Sequence, residues 1–298
     1  MLRALTPLVA AAGASRFSKG VVATAGLRQA VSTLGAVNVA GFGISAATGS
    51  HYHIDLLGTG AFAVAALASR GSGELRQQVS AGAVTLWSVK LASFLFYRVL
   101  QTTTDARLET VLSTTSGALG FWVATFAWNL LAGLPHFVAA GVAKGARPPF
   151  GRALDWAGLG VFASGFALET AADLQKTAFK QSNPGRFCDV GVWQLSQHPN
   201  YFGNLLVWVG ITLLNAPTLL APGGGGGRNW LRMAAGLLSP AFLYALFSGQ
   251  ATGAIGNSIE LAEARYGKDP RFQRWLAETP MIIPTAASVL RFLKGGGE

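Results

Sequence analysis

Residues 117–143 read GALGFWVATFAWNLLAGLPHFVAAGVA, without a single Asp, Glu, Lys or Arg. As a helix this stretch extends about 40 Å at about 1.5 Å per residue, more than the roughly 30 Å of a bilayer's hydrocarbon core. An open strand in lipid would leave its backbone groups unsatisfied, so the stretch predicts a membrane-spanning helix. Pro135 lies inside it and predicts a kink, tolerated through packing or local adjustment.

Six further segments share this character: 31–48, 54–69, 80–97, 153–171, 202–222 and 230–256. The first is rich in Gly and Ala, the second is short and carries Asp55, and the third contains Lys90. The expected fold class is therefore an all-α integral membrane protein. It has six to seven transmembrane helices and a short polar helical tail from Asn257, ended by Pro280 and Pro284. Composition agrees: 51% of the 298 residues are hydrophobic and 12% charged, against about 25% charged in soluble domains. Trp122, Trp128, Trp156, Trp193, Trp208 and Trp230 fall in or beside the spans, as an aromatic belt would place several of them. Gly158, Gly160, Ser164 and Gly165 would let helices approach closely. The glycine run 223–227 reads as a tether.

The net charge of +10 does not imply nucleic acid, because the cations are scattered in short groups between apolar runs. They meet lipid headgroups instead, which makes membrane lipids the expected partners. Lys and Arg divide evenly between the two sides of the seven-span arrangement, so the positive-inside rule gives no orientation. Cys188 is the only cysteine, and His51, His53, His136 and His198 are dispersed, so no metal site is expected. His51 and His53 read as interfacial loop residues.

No acidic residue precedes Asp55, whereas Arg3, Arg16, Lys19 and Arg28 do, among many Ala, Ser and Thr. That is the composition of an organellar transit peptide, although an ordinary basic N-terminus would look similar. The expected layout is a leader over 1–30, transmembrane helices over 31–145 and a C-terminal membrane domain over 146–298. The expected site is the mitochondrial inner membrane, with plastid or endoplasmic reticulum membrane as alternatives.

The chemistry is concentrated in 173–204, DLQKTAFKQSNPGRFCDVGVWQLSQHPNYFGN, a polar connection between two spans. Glu169, Asp173, Lys176 and Lys180 recur at helical spacing and share one face. Such a face is either ion-paired snorkelling at the membrane boundary or a wall for a phosphate-bearing cofactor, with Lys180 and Arg186 as its cations. Pro199 biases His198 away from helix. The run His198-Pro199-Asn200-Tyr201 is then either a plain entry turn with Asn200 as N-cap or a functional cluster at the membrane mouth.

The order D-x-x-K-x-x-x-K, N-x-G-x-F-x-x-x-G-x-W and S-x-H-P-N-Y-F-G resembles the C-terminal signature of the steroid 5-alpha-reductase superfamily. The region 86–107 and the tail 260–284, with Tyr266-Gly267, Asp269-Pro270 and Thr279-Pro280, resemble an uncharacterised branch of it. Isoprenylcysteine methyltransferases share a related His-Pro turn, but the Asn-Tyr-Phe-Gly continuation favours the reductases. The resemblance implies an NADPH pocket in the C-terminal membrane domain. Asp173, Lys180, Arg186, His198, Asn200, Tyr201 and Asn204 are its expected cofactor-binding residues, and Tyr97 and Tyr201 its catalytic candidates. The implied reaction is reduction of an electron-poor C=C in a lipophilic substrate, a lipid or sterol-like enone.

Two positions depart from the family pattern. Gln197 stands for an Arg and Asn204 for a Glu. The loss of a carboxylate near the nicotinamide, together with a cation, reads as a linked change. It opens a second reading, a non-catalytic membrane subunit of a larger organellar, respiratory-type complex built on the same fold.

Overall fold

The computed structural model describes residues 25–70, 74–102, 109–222 and 228–294. Most of the expected leader and the glycine tether lie outside them, as do Asp105, Ala106 and Arg107. Among the described residues all regular structure is helical: α1 (Ala25–Thr48), α2 (Ile54–Ser69), α3 (Leu75–Thr102), the short α4 (Glu109–Leu112), α5 (Thr115–Ala140), α6 (Ala153–Ser182), α7 (Pro199–Leu219), α8 (Trp230–Ala251), α9 (Ser258–Tyr266), α10 (Pro270–Glu278) and α11 (Ala286–Leu293). The protein is an all-helical integral membrane protein.

Each expected span falls on a helix, and most differ from it in extent. Among the described residues five helices are long and apolar enough to cross a membrane: α1, α3, α5, α7 and α8. Helix α2 is apolar but has 16 residues. The segment 153–171 is only the first part of α6, which runs for 30 residues and carries Asp155, Glu169 and Asp173. The tail also continues helical past Pro284, because Thr285 and Ser288 form a reciprocal capping box that starts α11. Helix α1 begins at Ala25, inside the expected leader, and Leu27 and Ala30 are buried.

The chain divides into two compact units, Met1–Gly158 with Ile211–Ser239, and Leu159–Gly210 with Pro240–Glu298. The C-terminal part of α7, from Ile211, belongs to the first unit. In the first unit Asn215 donates to Ser80 Oγ at 2.8 Å and accepts from Gln77 at 3.2 Å. Ser80 in turn meets His136 Nδ1 at 2.8 Å, and His136 Nε2 meets the Ala66 carbonyl at 3.1 Å. Helix α1 packs on α2 and α5, and α2 on α3. Asn38 donates to Asn129 at 3.2 Å and Asn129 to the Gly58 carbonyl at 3.0 Å, tying α1, α5 and α2 together. Interhelical amide bonds of this kind stabilise by about 0.6 kcal/mol each on average. His51 and His53 both reach Ser45 at 3.3 Å, so the loop they occupy is pinned to α1.

Candidate functional site

In the second unit α6 and α7 meet backbone to backbone. A Cβ on Gly165 would lie 2.6 Å from the Gly203 carbonyl oxygen, and one on Gly203 2.6 Å from the Glu169 nitrogen. Only glycine permits this approach. It brings Glu169 against Asn204, whose Nδ2 donates to Glu169 Oε1 at 2.8 Å. Both residues are buried. The Asn204 Oδ1 atom is buried without a hydrogen-bond partner, and so is Oδ1 of Asn200, one turn earlier on the same face of α7. Asp173 is also buried, one turn beyond Glu169 on α6.

The N-terminal end of α7 carries an aromatic stack. The His198 ring lies 4.8 Å from Tyr201 at an interplanar angle of 7°, and Tyr201 lies 4.6 Å from Phe247 at 13°. Each such contact contributes about 0.5–1.5 kcal/mol beyond burial. Burial, helped by the Lys176 charge, pushes His198 down to about 4. Its ring is therefore neutral at pH 7.

The connection from α6 to α7 is held at fixed points. Gly191 has φ +57°, and a Cβ there would meet Gln175 Oε1 at 2.4 Å. That oxygen accepts the Val192 N–H at 2.9 Å. Trp193 donates its indole N–H to the Ala172 carbonyl at 3.0 Å, while Lys176 Nζ sits 4.5 Å over its ring. Burial pushes the Cys188 thiol up, which keeps it protonated and unreactive.

Lys180 Nζ donates to the Arg186 carbonyl at 2.6 Å and to the Tyr266 hydroxyl, and lies 4.6 Å from the Tyr266 ring centroid. Burial acts to raise the Tyr266 phenol, but hydrogen bonds and charge from Lys180 and Arg265 outweigh it and bring its pKa below the ordinary value. The Arg186 guanidinium is exposed and 5.8 Å from the Phe179 ring centroid.

Gln197 serves the tail. Its Nε2 donates to the Leu276 and Thr279 carbonyls at 2.9 and 2.7 Å, capping the end of α10. Its own N–H reaches the Pro280 carbonyl at 2.9 Å. Gln197 and Asn204 thus have different partners in this structure. Of the expected site residues, Asp173, Lys180, Arg186, His198, Asn200, Tyr201 and Asn204 all belong to the second unit, whereas Tyr97 is a half-exposed residue of α3 in the first. Sequence reading gave no role to Gln175, Phe247 or Tyr266. Tyr266 stood in a family-like stretch, while Phe247 is hidden in an apolar run.

A family model described as "Protein of unknown function (DUF1295)" matches residues 41–252, a range that includes the α6–α7 crossing and the aromatic stack. No curated protein and no solved structure matches the chain.

Proposed function

The chain belongs to the DUF1295 family, and on that premise we propose that it is a membrane-embedded, NADPH-dependent reductase of a lipid or sterol-like enone. The observation that carries this reading is the composition of the second unit's polar cluster. Lys180, a cation whose partners among the described residues are a carbonyl and a phenol, stands on the same helix as an acceptor-rich crossing at Glu169, Asn200 and Asn204. These residues fit a phosphate-bearing dinucleotide. Lys180 and Arg186 would hold phosphate charge, and the buried amide oxygens would take hydrogen-bond donors. NADPH, when bound, supplies the hydride for C=C reduction. Tyr201, fixed between His198 and Phe247, is the group assigned to polarise the substrate carbonyl and meet the developing enolate charge. Apolar helices admit a lipophilic substrate laterally and keep water out. An organellar membrane, mitochondrial inner membrane first, is the location we assign from the acid-free N-terminal stretch.

Titration of detergent-purified protein with NADPH, followed by nicotinamide fluorescence, tests the reading. Saturable binding in the micromolar range is expected, and lipid enones should then stimulate NADPH oxidation. Folded protein that binds nothing at millimolar cofactor would overturn it. That outcome would favour the second reading, a non-catalytic subunit of an organellar membrane complex, which rests on Asn204 standing in place of the family carboxylate.

A further inference from the structure

In the first unit, the connection from α5 to α6 and the start of α3 line a cleft of about 280 Å³. It holds two arginines in opposite states. Arg76 has its five N–H groups engaged by Asp155, Thr218 and the Pro148 and Pro149 carbonyls. Asp155 balances its charge, so it offers nothing to a ligand. Arg147 is only half engaged. Its side chain is 6% exposed, with Nε and Nη2 fixed on the Val142 and Ala140 carbonyls at 2.7 and 3.0 Å. Its Nη1 is buried and makes no hydrogen bond among the described residues, although Glu74 Oε2 stands 3.5 Å away. A buried donor of this kind is ordinarily satisfied by an acceptor.

The surroundings describe that acceptor. Leu75 and Arg76 open α3 at the cleft, and N–H groups in a first helical turn have no carbonyl of their own helix to reach. Together with Arg147 they favour an anion. The partly exposed carboxylate of Glu74, at the same cleft, repels a simple anion and favours a cation. A group that satisfies both sides carries phosphate and ammonium together. Pockets for whole drug-sized ligands occupy about 300–1,000 Å³, so this cleft suits a headgroup with its acyl chains left outside. Its position agrees. Helix α3 starts there, Arg147 caps the end of α5, and both helices are long and apolar enough to cross a membrane. Phe150, on the cleft wall, lies 5.6 Å edge-on from the exposed Trp156, an aromatic of the kind found at headgroup depth.

We propose that this cleft binds the headgroup of phosphatidylethanolamine, its phosphate on Arg147 Nη1 and the first turn of α3, its ammonium on Glu74. A primary ammonium brings three N–H donors to the carboxylate. The trimethylammonium of phosphatidylcholine brings none, and phosphatidylglycerol has no cation to offer. The site does not depend on the NADPH reading.

Native mass spectrometry of the full-length protein in detergent, titrated with the dioctanoyl forms of these three lipids, tests it. Phosphatidylethanolamine should occupy one saturable site, at least about tenfold tighter than the other two, the scale of a hydrogen bond to a charged group. Glu74→Gln should remove that preference by weakening phosphatidylethanolamine alone. Arg147→Lys keeps the charge but loses the fixed guanidinium edge, and should weaken phosphatidylethanolamine and phosphatidylglycerol alike. Lys144→Gln removes an exposed cation from the same connection and should change binding by less than about twofold. Equal binding of the three lipids, or tighter binding of phosphatidylglycerol, overturns the proposal. So does an equal loss in Lys144→Gln and Arg147→Lys, the mark of a general surface field. Displacement of the lipid by equimolar glycerophosphoethanolamine would make the ligand a soluble phosphate ester and overturn the lipid assignment. If Arg147→Lys does not fold, Glu74→Gln decides alone, and a preference that survives it overturns the site.

Discussion

Arg76 in the first unit and Lys180 in the second are both cations at helical positions among polar neighbours, and they are held in opposite ways. Arg76 is 3% exposed and engages Asp155 at 2.6 and 2.8 Å, the Pro148 and Pro149 carbonyls at 2.5 and 2.8 Å, and Thr218 at 3.3 Å. Asp155 completes the arrangement by accepting the Gly151 and Arg152 N–H groups at 2.9 Å each. Lys180 rests on one carbonyl and one phenol, partners that a phosphate can displace. A charge satisfied on every side is framework, whereas a charge held by weak partners is available. The cleft of about 280 Å³ beside Arg76 holds a second arginine, Arg147, which caps α5 through the Val142 and Ala140 carbonyls and pairs with Glu74 at 3.5 Å. Unpartnered oxygens alone do not mark a site, since Asn38 and Gln77 of the first unit have them too. The second unit differs in combining them with a carboxylate and a weakly held cation.

The largest effect should come from breaking the framework. Arg76→Ala would leave Asp155 buried without its counter-ion, and removing one partner of such a pair costs about 3–5 kcal/mol. Thermal unfolding in detergent should show a large loss of Tm or failure to fold. Lys180→Ala, on the other side of the comparison, should change stability by no more than about 0.5 kcal/mol. It should weaken NADPH binding by about 1.5–3 kcal/mol. Equal stability losses in the two variants would erase the distinction between closed and available charge.

Gly203→Ala probes the crossing. A methyl group 2.6 Å from the Glu169 nitrogen and 2.8 Å from the Gly165 carbonyl oxygen forces α6 and α7 apart. Overpacking of this order costs about 1–3 kcal/mol. NADPH affinity should fall with it, because Asn204 loses its register with Glu169. Unchanged stability and binding would show that the helices can slide without consequence.

The sequence made the helices legible because lipid demands long charge-free runs, and it made the motif 173–204 legible because polar residues stand out between such runs. The continuation of α6 past the apolar span was legible from the helical spacing of Glu169, Asp173, Lys176 and Lys180, with neither Pro nor Gly in 172–182 to stop it. The sequence did not show the Glu169–Asn204 contact, which depends on Gly165 and Gly203 facing each other across two helices. The partnership of Lys180 with Tyr266, 86 residues away, was equally hidden. Gln197 was legible only as a missing cation, while its role as the amide that caps α10 required the tail to be in place.

A smaller effect is expected from pH. His198 is held near 4 in the folded protein by burial and by Lys176, against about 6.5 unfolded. The unfolded chain therefore binds the extra proton first, and stability falls as pH drops from about 6.5 towards 4. The loss should be about 2 kcal/mol by pH 5, read as a Tm difference between wild type and His198→Gln that shrinks on acidification. A difference that stays constant with pH would mean the ring is not kept neutral by its surroundings.

The smallest effect should be at Arg271, and it sharpens the comparison most finely because this cation shares a unit with Lys180. Its guanidinium pairs with Asp189 at 3.2 Å and is 63% exposed. Exposed pairs of this kind contribute about 0–1 kcal/mol. Arg271→Gln should leave Tm nearly unchanged and NADPH affinity within about twofold at physiological salt, where the Debye length is about 8 Å. A chain of net charge +10 also attracts polyanions through its summed field. If that field were the source of cofactor binding, Arg271→Gln would weaken NADPH as much as Lys180→Ala, and both losses would disappear in high salt. A selective loss at Lys180 that persists in salt requires a phosphate held at that position, by that side chain.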